Sequence, residues 1–286
     1  MIFLIISIIS SSLIYITFKL LNKFRIKIFP VIIVNYITAS LTGYIFKEKD
    51  FSVQEILAAD WISISIIIGI LFIAMFYTIG VSTQKAGITI TSISTKMSVV
   101  FPMLFSILHY GENIYLLKIG GMLLALLSII LSSIKGNNRT SGAKSFIFPA
   151  ALFFGMGLVD TLVKFNQEEF LQNTGAIEST TVTFAVSAII GLGIQFIFNL
   201  KNNKEIKLST LLFGIILGLS NFGSLYFLIL ALNSKFLDSS VIFAINNTAI
   251  IIIAALVGRF FFKEKLILLN WVGVFISMIA IIALSM

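Results

Sequence analysis

The sequence predicts an all-α integral membrane protein with ten transmembrane helices in two inverted five-helix repeats (5+5). Of its 286 residues, 58% are hydrophobic and 11% are charged, whereas a soluble domain carries about a quarter charged residues. Apolar segments of the length needed to cross a bilayer, about 20 residues, recur along the chain. The two halves also resemble one another, which indicates an internal duplication.

The helices are predicted from the apolar segments that lie between short polar connections. The first segment has no basic residue before its apolar core, which indicates a retained helix rather than a cleaved signal. Pro30 begins the second helix, where a missing N–H costs little. Pro102 lies inside the fourth helix, where it frees a carbonyl and predicts a kink that neighbouring helices tolerate. The predicted helices cover residues 2–20, 29–46, 59–81, 87–108, 113–134, 145–165, 176–198, 208–232, 238–258 and 266–285.

The duplication is clearest at the end of each half. Residues 111–133 and 263–285 match when one is shifted by 152 positions, and the shift aligns two acidic residues and two glycines, Glu112 with Glu264 and Gly121 with Gly273. At both corners the glutamate is expected to cap the helix that follows it. The predicted halves are residues 1–135 and 145–286, with a linker at 136–144.

The same shift pairs the fourth helix with the ninth, so that Lys96 lies opposite Thr248. More weakly, Phe18-Lys19 in the first helix resembles Val163-Lys164 in the sixth. Because each half has an odd number of helices, the second half enters the membrane from the opposite side. Inverted repeats of this kind are common in secondary transporters, whose substrate site lies near the midplane between the repeats.

This pattern resembles the drug/metabolite transporter superfamily, specifically its EamA-type ten-helix members. The resemblance covers essentially the whole chain in helix count and duplication. It implies a secondary transporter or exporter whose cavity is framed by helices 4 and 9, and relatives move amino acids, sugars or phosphorylated metabolites. Pro102 aligns with Ala254, so the second half departs from a paired proline. The matching segments are Pro102, Gly111-Glu112, Ile119-Gly120-Gly121, Phe262-Lys263-Glu264-Lys265 and Trp271-Val272-Gly273.

Lys96 is the most informative single residue. It is the tenth residue of the fourth predicted helix, about 13 Å from the nearer end at 1.5 Å per residue. A lysine at that depth costs at least about 2.5–3.5 kcal/mol, so it should face water, a carboxylate or an anionic ligand. We interpret it as a ligand for a substrate carboxylate or phosphate, with a structural ion pair or an uncharged lysine as the alternatives.

Asp160 and Lys164 stand one helical turn apart in the sixth helix. This spacing allows a local ion pair on one face. The functional alternative is that Asp160 couples transport to protons or is the counter-ion of Lys96. The remaining substrate-binding candidates are polar or aromatic residues of helices 3, 4, 8 and 9, for which helix packing is the alternative role: Ser92, Thr95, Ser98, Asn246, Asn247, Tyr77 and Tyr226.

Composition also excludes several classes of function. The chain has no cysteine and one histidine, so no catalytic triad, metal centre or cofactor site is predicted. No phosphate-binding glycine loop is present, which argues against ATP hydrolysis. The net charge of +8 fits basic loops at a membrane surface better than a nucleic-acid partner. We therefore expect a transporter and not an enzyme: an exporter of a small polar or amphipathic metabolite such as an amino acid, in the bacterial inner membrane, as a monomer or homodimer. The alternatives are an organic-anion exchanger and, after it, a channel or a lipid enzyme.

The positively charged loops predict the orientation. If both termini are outside, 14 of the 20 lysine and arginine residues fall in cytosolic loops, as the positive-inside rule requires. The family resemblance implies cytosolic termini instead, and we give the residue count more weight.

A reporter that is active only in the cytosol should therefore be inactive when fused after Met286. The same reporter inserted at Arg139, in the basic linker, should be active and serves as the control. Activity at Met286 together with inactivity at Arg139 would reverse the orientation.

Overall fold

The computed structural model describes residues 1–47, 53–111, 115–134, 146–171, 176–199, 207–234 and 239–285. The predicted linker at 136–144 and the Glu112 corner lie outside these residues. The described residues form twelve α-helices: α1 (Ile2–Lys23), α2 (Ile28–Ile45), α3 (Val53–Ala58), α4 (Ile62–Lys85), α5 (Ile88–Met97), α6 (Val100–Tyr110), α7 (Leu116–Ser133), α8 (Ile147–Phe170), α9 (Ala176–Asn199), α10 (Leu208–Asn233), α11 (Ser239–Phe260) and α12 (Leu268–Ser285).

Within this described part of the chain, ten helical spans are long and apolar enough to cross a bilayer. The helices α5 and α6 together make the fourth span, and α3 is a short helix that the sequence analysis missed. The predicted number of spans is thus confirmed, and the chain is a multi-pass membrane protein. Three spans end about a turn later than predicted, α1 at Lys23, α4 at Lys85 and α8 at Phe170, because a hydropathy pattern omits the polar residues that complete a last turn.

Helices of the first half pack mainly against helices of the second half. The most extensive contact joins α7 to α12; α1 packs along α10, α2 packs along α9 and α10, and α4 packs along α8 and α9. Lipid provides no hydrophobic drive for helix association, so such contacts depend on close packing around small residues. The two halves therefore interleave instead of forming separate bundles.

The α7–α12 contact contains the same close approach twice. A Cβ atom on Gly121 of α7 would lie 3.1 Å from the backbone nitrogen of Leu284, and one on Gly273 of α12 would lie 2.7 Å from that of Ser132. Gly121 and Gly273 differ by 152 positions, as do Ser132 and Leu284. The two helices thus contact each other through equivalent residues.

A second pair of equivalent contacts joins α4 to α9 and α10 to α2. A Cβ on Gly69 would lie 3.0 Å from the carbonyl oxygen of Thr183, and one on Gly218 would lie 2.6 Å from that of Asn35. The glycines are 149 positions apart and the carbonyls 148. The correspondence seen in the sequence near the end of each half therefore has a counterpart in the contacts of earlier helices, with a shift a few residues smaller.

The α2–α9 contact provides a third pair. Gly43 of α2 lies against the side chain of Thr181, and Gly191 of α9 lies against that of Ile33. Both residue pairs are related by a shift of 148 positions. Larger side chains at these glycines would push the two helices apart.

Replacing Gly121 with leucine should lower the thermal unfolding temperature of the purified protein. Overpacking of a tight contact costs about 1–3 kcal/mol, and here the obstacle includes the backbone of α12. Gly120→Leu is the matched control, because a Cβ on Gly120 meets no atom within 4 Å. Equal unfolding temperatures for the two variants would contradict the proximity of α7 and α12.

Candidate functional site

The fourth span is interrupted at its centre, between α5 and α6. Pro102 has no N–H with which to bond the carbonyl of Ser98 four residues earlier. That carbonyl instead accepts a hydrogen bond from the N–H of Phe101 at 2.9 Å, a tighter turn of the 3₁₀ type. The predicted disturbance at Pro102 is therefore present, but the carbonyl it would free has found another donor.

Polar side chains from three helices meet at this interruption. The Ser98 hydroxyl donates to Oδ2 of Asp160 in α8 at 2.8 Å and to the Thr95 carbonyl at 2.6 Å. The hydroxyls of Thr95 and Tyr15 lie 2.6 Å apart, which joins α1 to the group. We call Tyr15, Thr95, Lys96, Ser98 and Asp160 the central polar cluster.

Lys96 lies in the middle of the fourth span and is half-buried. It interacts electrostatically with Asp160. Among the described residues, however, no carboxylate oxygen lies within the 4.0 Å of an ion pair with Lys96, and its Nζ donates no hydrogen bond. The positive and negative groups thus influence one another electrostatically without being joined by an ion pair.

Three other hydroxyl groups of α5 are turned back onto their own helix. Ser92 donates to the Thr89 carbonyl and Ser94 to the Ile90 carbonyl, each at 2.9 Å, and Thr91 donates to the carbonyl of Gly87 at 2.7 Å. Such bonds satisfy a hydroxyl inside an apolar environment. The substrate-binding role predicted for Ser92 stays a prediction, and its hydroxyl already has a partner.

The polar residues of α11 differ in whether their side chains have hydrogen-bond partners. Asn246 is buried and its Oδ1 accepts a hydrogen bond from the hydroxyl of Ser7 in α1 at 3.3 Å, so it links two helices. Asn247 is half-buried. The hydroxyl of Thr248, opposite Lys96 in the repeat, is buried without a hydrogen-bond partner in the part of the chain that the structure describes.

The two predicted tyrosines lie outside the central polar cluster. Tyr77 is 46% exposed on the outer surface and meets the edge of Phe29. Tyr226 is half-buried and stacks on Phe222. Both side chains make aromatic contacts of the kind expected if their role is helix packing and not substrate binding. Lys164 is half-buried one turn beyond Asp160.

Sequence reasoning missed the part that α1 plays. Ser7, Ser11 and Tyr15 are buried and spaced four residues apart, so they form one polar stripe that ends at Lys19. Going along it, Ser7 meets Asn246, Tyr15 meets Thr95 and Lys19 meets Glu264. The four-residue spacing of these polar positions was the available signal, because residues four apart share a helix face.

At the end of the stripe, Glu264 occupies the N-terminus of α5. Its carboxylate accepts a hydrogen bond from the N–H of Ile88 at 2.8 Å and from the hydroxyl of Thr89 at 3.2 Å, and it pairs with Lys19 Nζ at 3.0 Å. The expectation that Glu264 caps the helix that follows it is wrong. At the start of α12 the capping side chain is instead that of Asn270, whose Oδ1 accepts a hydrogen bond from the N–H of Ile267.

Two buried tyrosines provide a matched test of this geometry. Tyr15→Phe should lower the free energy of unfolding by about 0.5–1.5 kcal/mol, the net value of a hydrogen bond, because it removes the bond to Thr95. Tyr36→Phe should leave it unchanged or raise it, because the Tyr36 hydroxyl is buried with no partner among the described residues. Thermal unfolding of both variants measures the difference, and a reversed order would refute the assignment.

No model of a known protein family matches the chain. A protein of Haemophilus influenzae described as uncharacterized is 28% identical to it over 290 residues. The alignment covers 98% of this chain and 96% of that protein, so the likeness extends over the whole membrane domain.

Proposed function

We propose that this protein is a secondary transporter, acting as an exporter of a small polar or amphipathic metabolite such as an amino acid, in the bacterial inner membrane. The observation that carries the proposal is the central polar cluster, where Lys96 interacts electrostatically with Asp160 at the middle of the membrane without forming an ion pair. Ionisable groups at this depth are costly and mark substrate or ion pathways.

The transport cycle that we propose is alternating access between two inverted five-helix repeats. Support comes from the three pairs of equivalent glycine contacts, which link helices of one half to the corresponding helices of the other. Inverted repeats favour such a cycle, since one repeat can rock against the other around a site at the midplane. An interrupted helix at that site, as at Ser98, is also typical of transporters.

The charges favour a zwitterionic substrate. A carboxylate would bind the ammonium of Lys96, and an amino group would bind the carboxylate of Asp160, which in the structure accepts a hydrogen bond from Ser98. The lack of a direct partner for Lys96 within the described residues also favours an alternative, an organic-anion or phosphorylated-metabolite exchanger. Asp160 weighs against this alternative, because its negative charge repels a phosphate dianion.

Counterflow in proteoliposomes tests the proposal. Vesicles loaded with unlabelled amino acids should accumulate a radiolabelled amino-acid mixture saturably, which a channel would not do. Sugar phosphates loaded in the same way test the exchanger. A prior thermal-shift screen of the purified protein against both classes narrows the choice of substrate.

Lys96→Gln should weaken substrate affinity by about 10–100-fold, because a hydrogen bond to a charged group is worth about 1.5–3 kcal/mol. Lys23→Gln is the matched control, since Lys23 is an exposed lysine at the end of α1. Unchanged affinity in Lys96→Gln would exclude Lys96 from the site.

Asp160→Asn should abolish the stimulation of transport by a pH gradient, while counterflow without a gradient persists at raised substrate concentration, because the amide binds a substrate amino group more weakly than the carboxylate does. The amide retains an oxygen that can accept the hydrogen bond from Ser98, but unlike a carboxylate it cannot gain and lose a proton near neutral pH. Full stimulation in this variant would exclude Asp160 from coupling.

A further inference from the structure

The ion pair between Lys19 and Glu264 joins the two halves at one end of the fourth span. Lys19 belongs to α1 and Glu264 follows α11, 245 residues later. The Lys19 ammonium also donates to the carbonyl of Thr83 in α4 at 3.1 Å. Glu264 in turn bonds to Ile88 and Thr89 of α5. The two side chains thus hold together α1, α4, α5 and the segment after α11.

The packing around the Glu264 carboxylate leaves little free space. A Cβ on Gly87 would lie 2.8 Å from Oε1, and one on Gly258 would lie 2.6 Å from Oε2. Gly87 also has a φ of +110°, which favours glycine. The Lys19 and Glu264 side chains remain 17% and 10% exposed, so water can reach the pair and replace its bonds if the segments separate.

The pair lies between the membrane surface and the central polar cluster. Lys19 is one turn beyond Tyr15 on the polar stripe of α1, and Thr89 precedes Lys96 by two turns in α5. A solute that follows the polar side chains from this face to Asp160 must therefore pass Lys19 and Glu264.

We infer that Lys19 and Glu264 form a latch that closes one face of the transporter. The inference rests on the proposed function, because a latch at one face is useful only if that face opens and closes during transport. In the conformation described, the Lys19–Glu264 latch is closed.

The chain has no cysteine, so introduced pairs can be cross-linked without background. The double variant Lys19→Cys/Glu264→Cys, joined by a reversible bifunctional thiol reagent in proteoliposomes, should lose at least 90% of counterflow and recover it on reduction. Each single variant is the control, and the reagent should leave its counterflow at the level of the same variant without reagent. Full counterflow in the cross-linked protein would overturn the latch.

A second measurement does not depend on transport. Ser11→Cys places a thiol on the α1 stripe two turns deeper than Lys19, where Ser11 is 7% exposed. Adding Glu264→Gln keeps an oxygen that can accept a hydrogen bond from Ile88 but removes the charge that holds Lys19. A membrane-impermeant maleimide applied to that face should then label the thiol at Ser11→Cys at least tenfold faster. Lys23→Gln in the same background is the control and should not change the rate.

An unchanged rate with Glu264→Gln would overturn the latch even if transport is observed. A tenfold rise would support the latch even if no tested amino acid or sugar phosphate undergoes counterflow, in which case the failure would belong to the proposed substrates.

Discussion

The constraint on which the structure depends is that a polar group inside a bilayer must find its partner within the protein. The stripe on α1 meets this constraint by giving three of its polar residues, Ser7, Tyr15 and Lys19, a partner in another element: Asn246 in α11, Thr95 in α5 and Glu264 after α11. Hydroxyls of α5 such as those of Thr91 and Ser94 meet it locally, by bonding to carbonyls one turn earlier. Lys96 and Thr248, which the repeat aligns, are among the described groups that lack such a partner.

The same environment explains why the two halves interleave. Between helices surrounded by lipid, attraction comes from close contact and not from the exclusion of water. Gly69, Gly121 and Gly218 provide such contact by letting a neighbouring backbone approach. These contacts join one half to the other. They therefore help to bring the polar side chains of α1, α5 and α8 together, although the glycines themselves do not touch those side chains.

The sequence was sufficient for the number of spans and for the disturbance at Pro102, since both follow from local composition. It also singled out Asp160 and Lys96, because charges in apolar segments are rare. The partner of Glu264 could not be predicted this way: a glutamate before a helix normally caps that helix, and only the packing of α11 beside α5 brings it to Ile88 instead. The role of Tyr15 was missed for a related reason, because a tyrosine in a span is compatible with simple packing, as Tyr226 shows.

The paired glycine contacts have a consequence for the history of the chain. A contact in which two elements exchange identical surfaces is isologous, the kind made between two copies of one subunit in a symmetric dimer. Gly121 against Leu284 and Gly273 against Ser132 have this form within a single polypeptide. A gene for one five-helix unit would already encode both sides of such an interface, and fusion of two copies would then leave each side free to diverge.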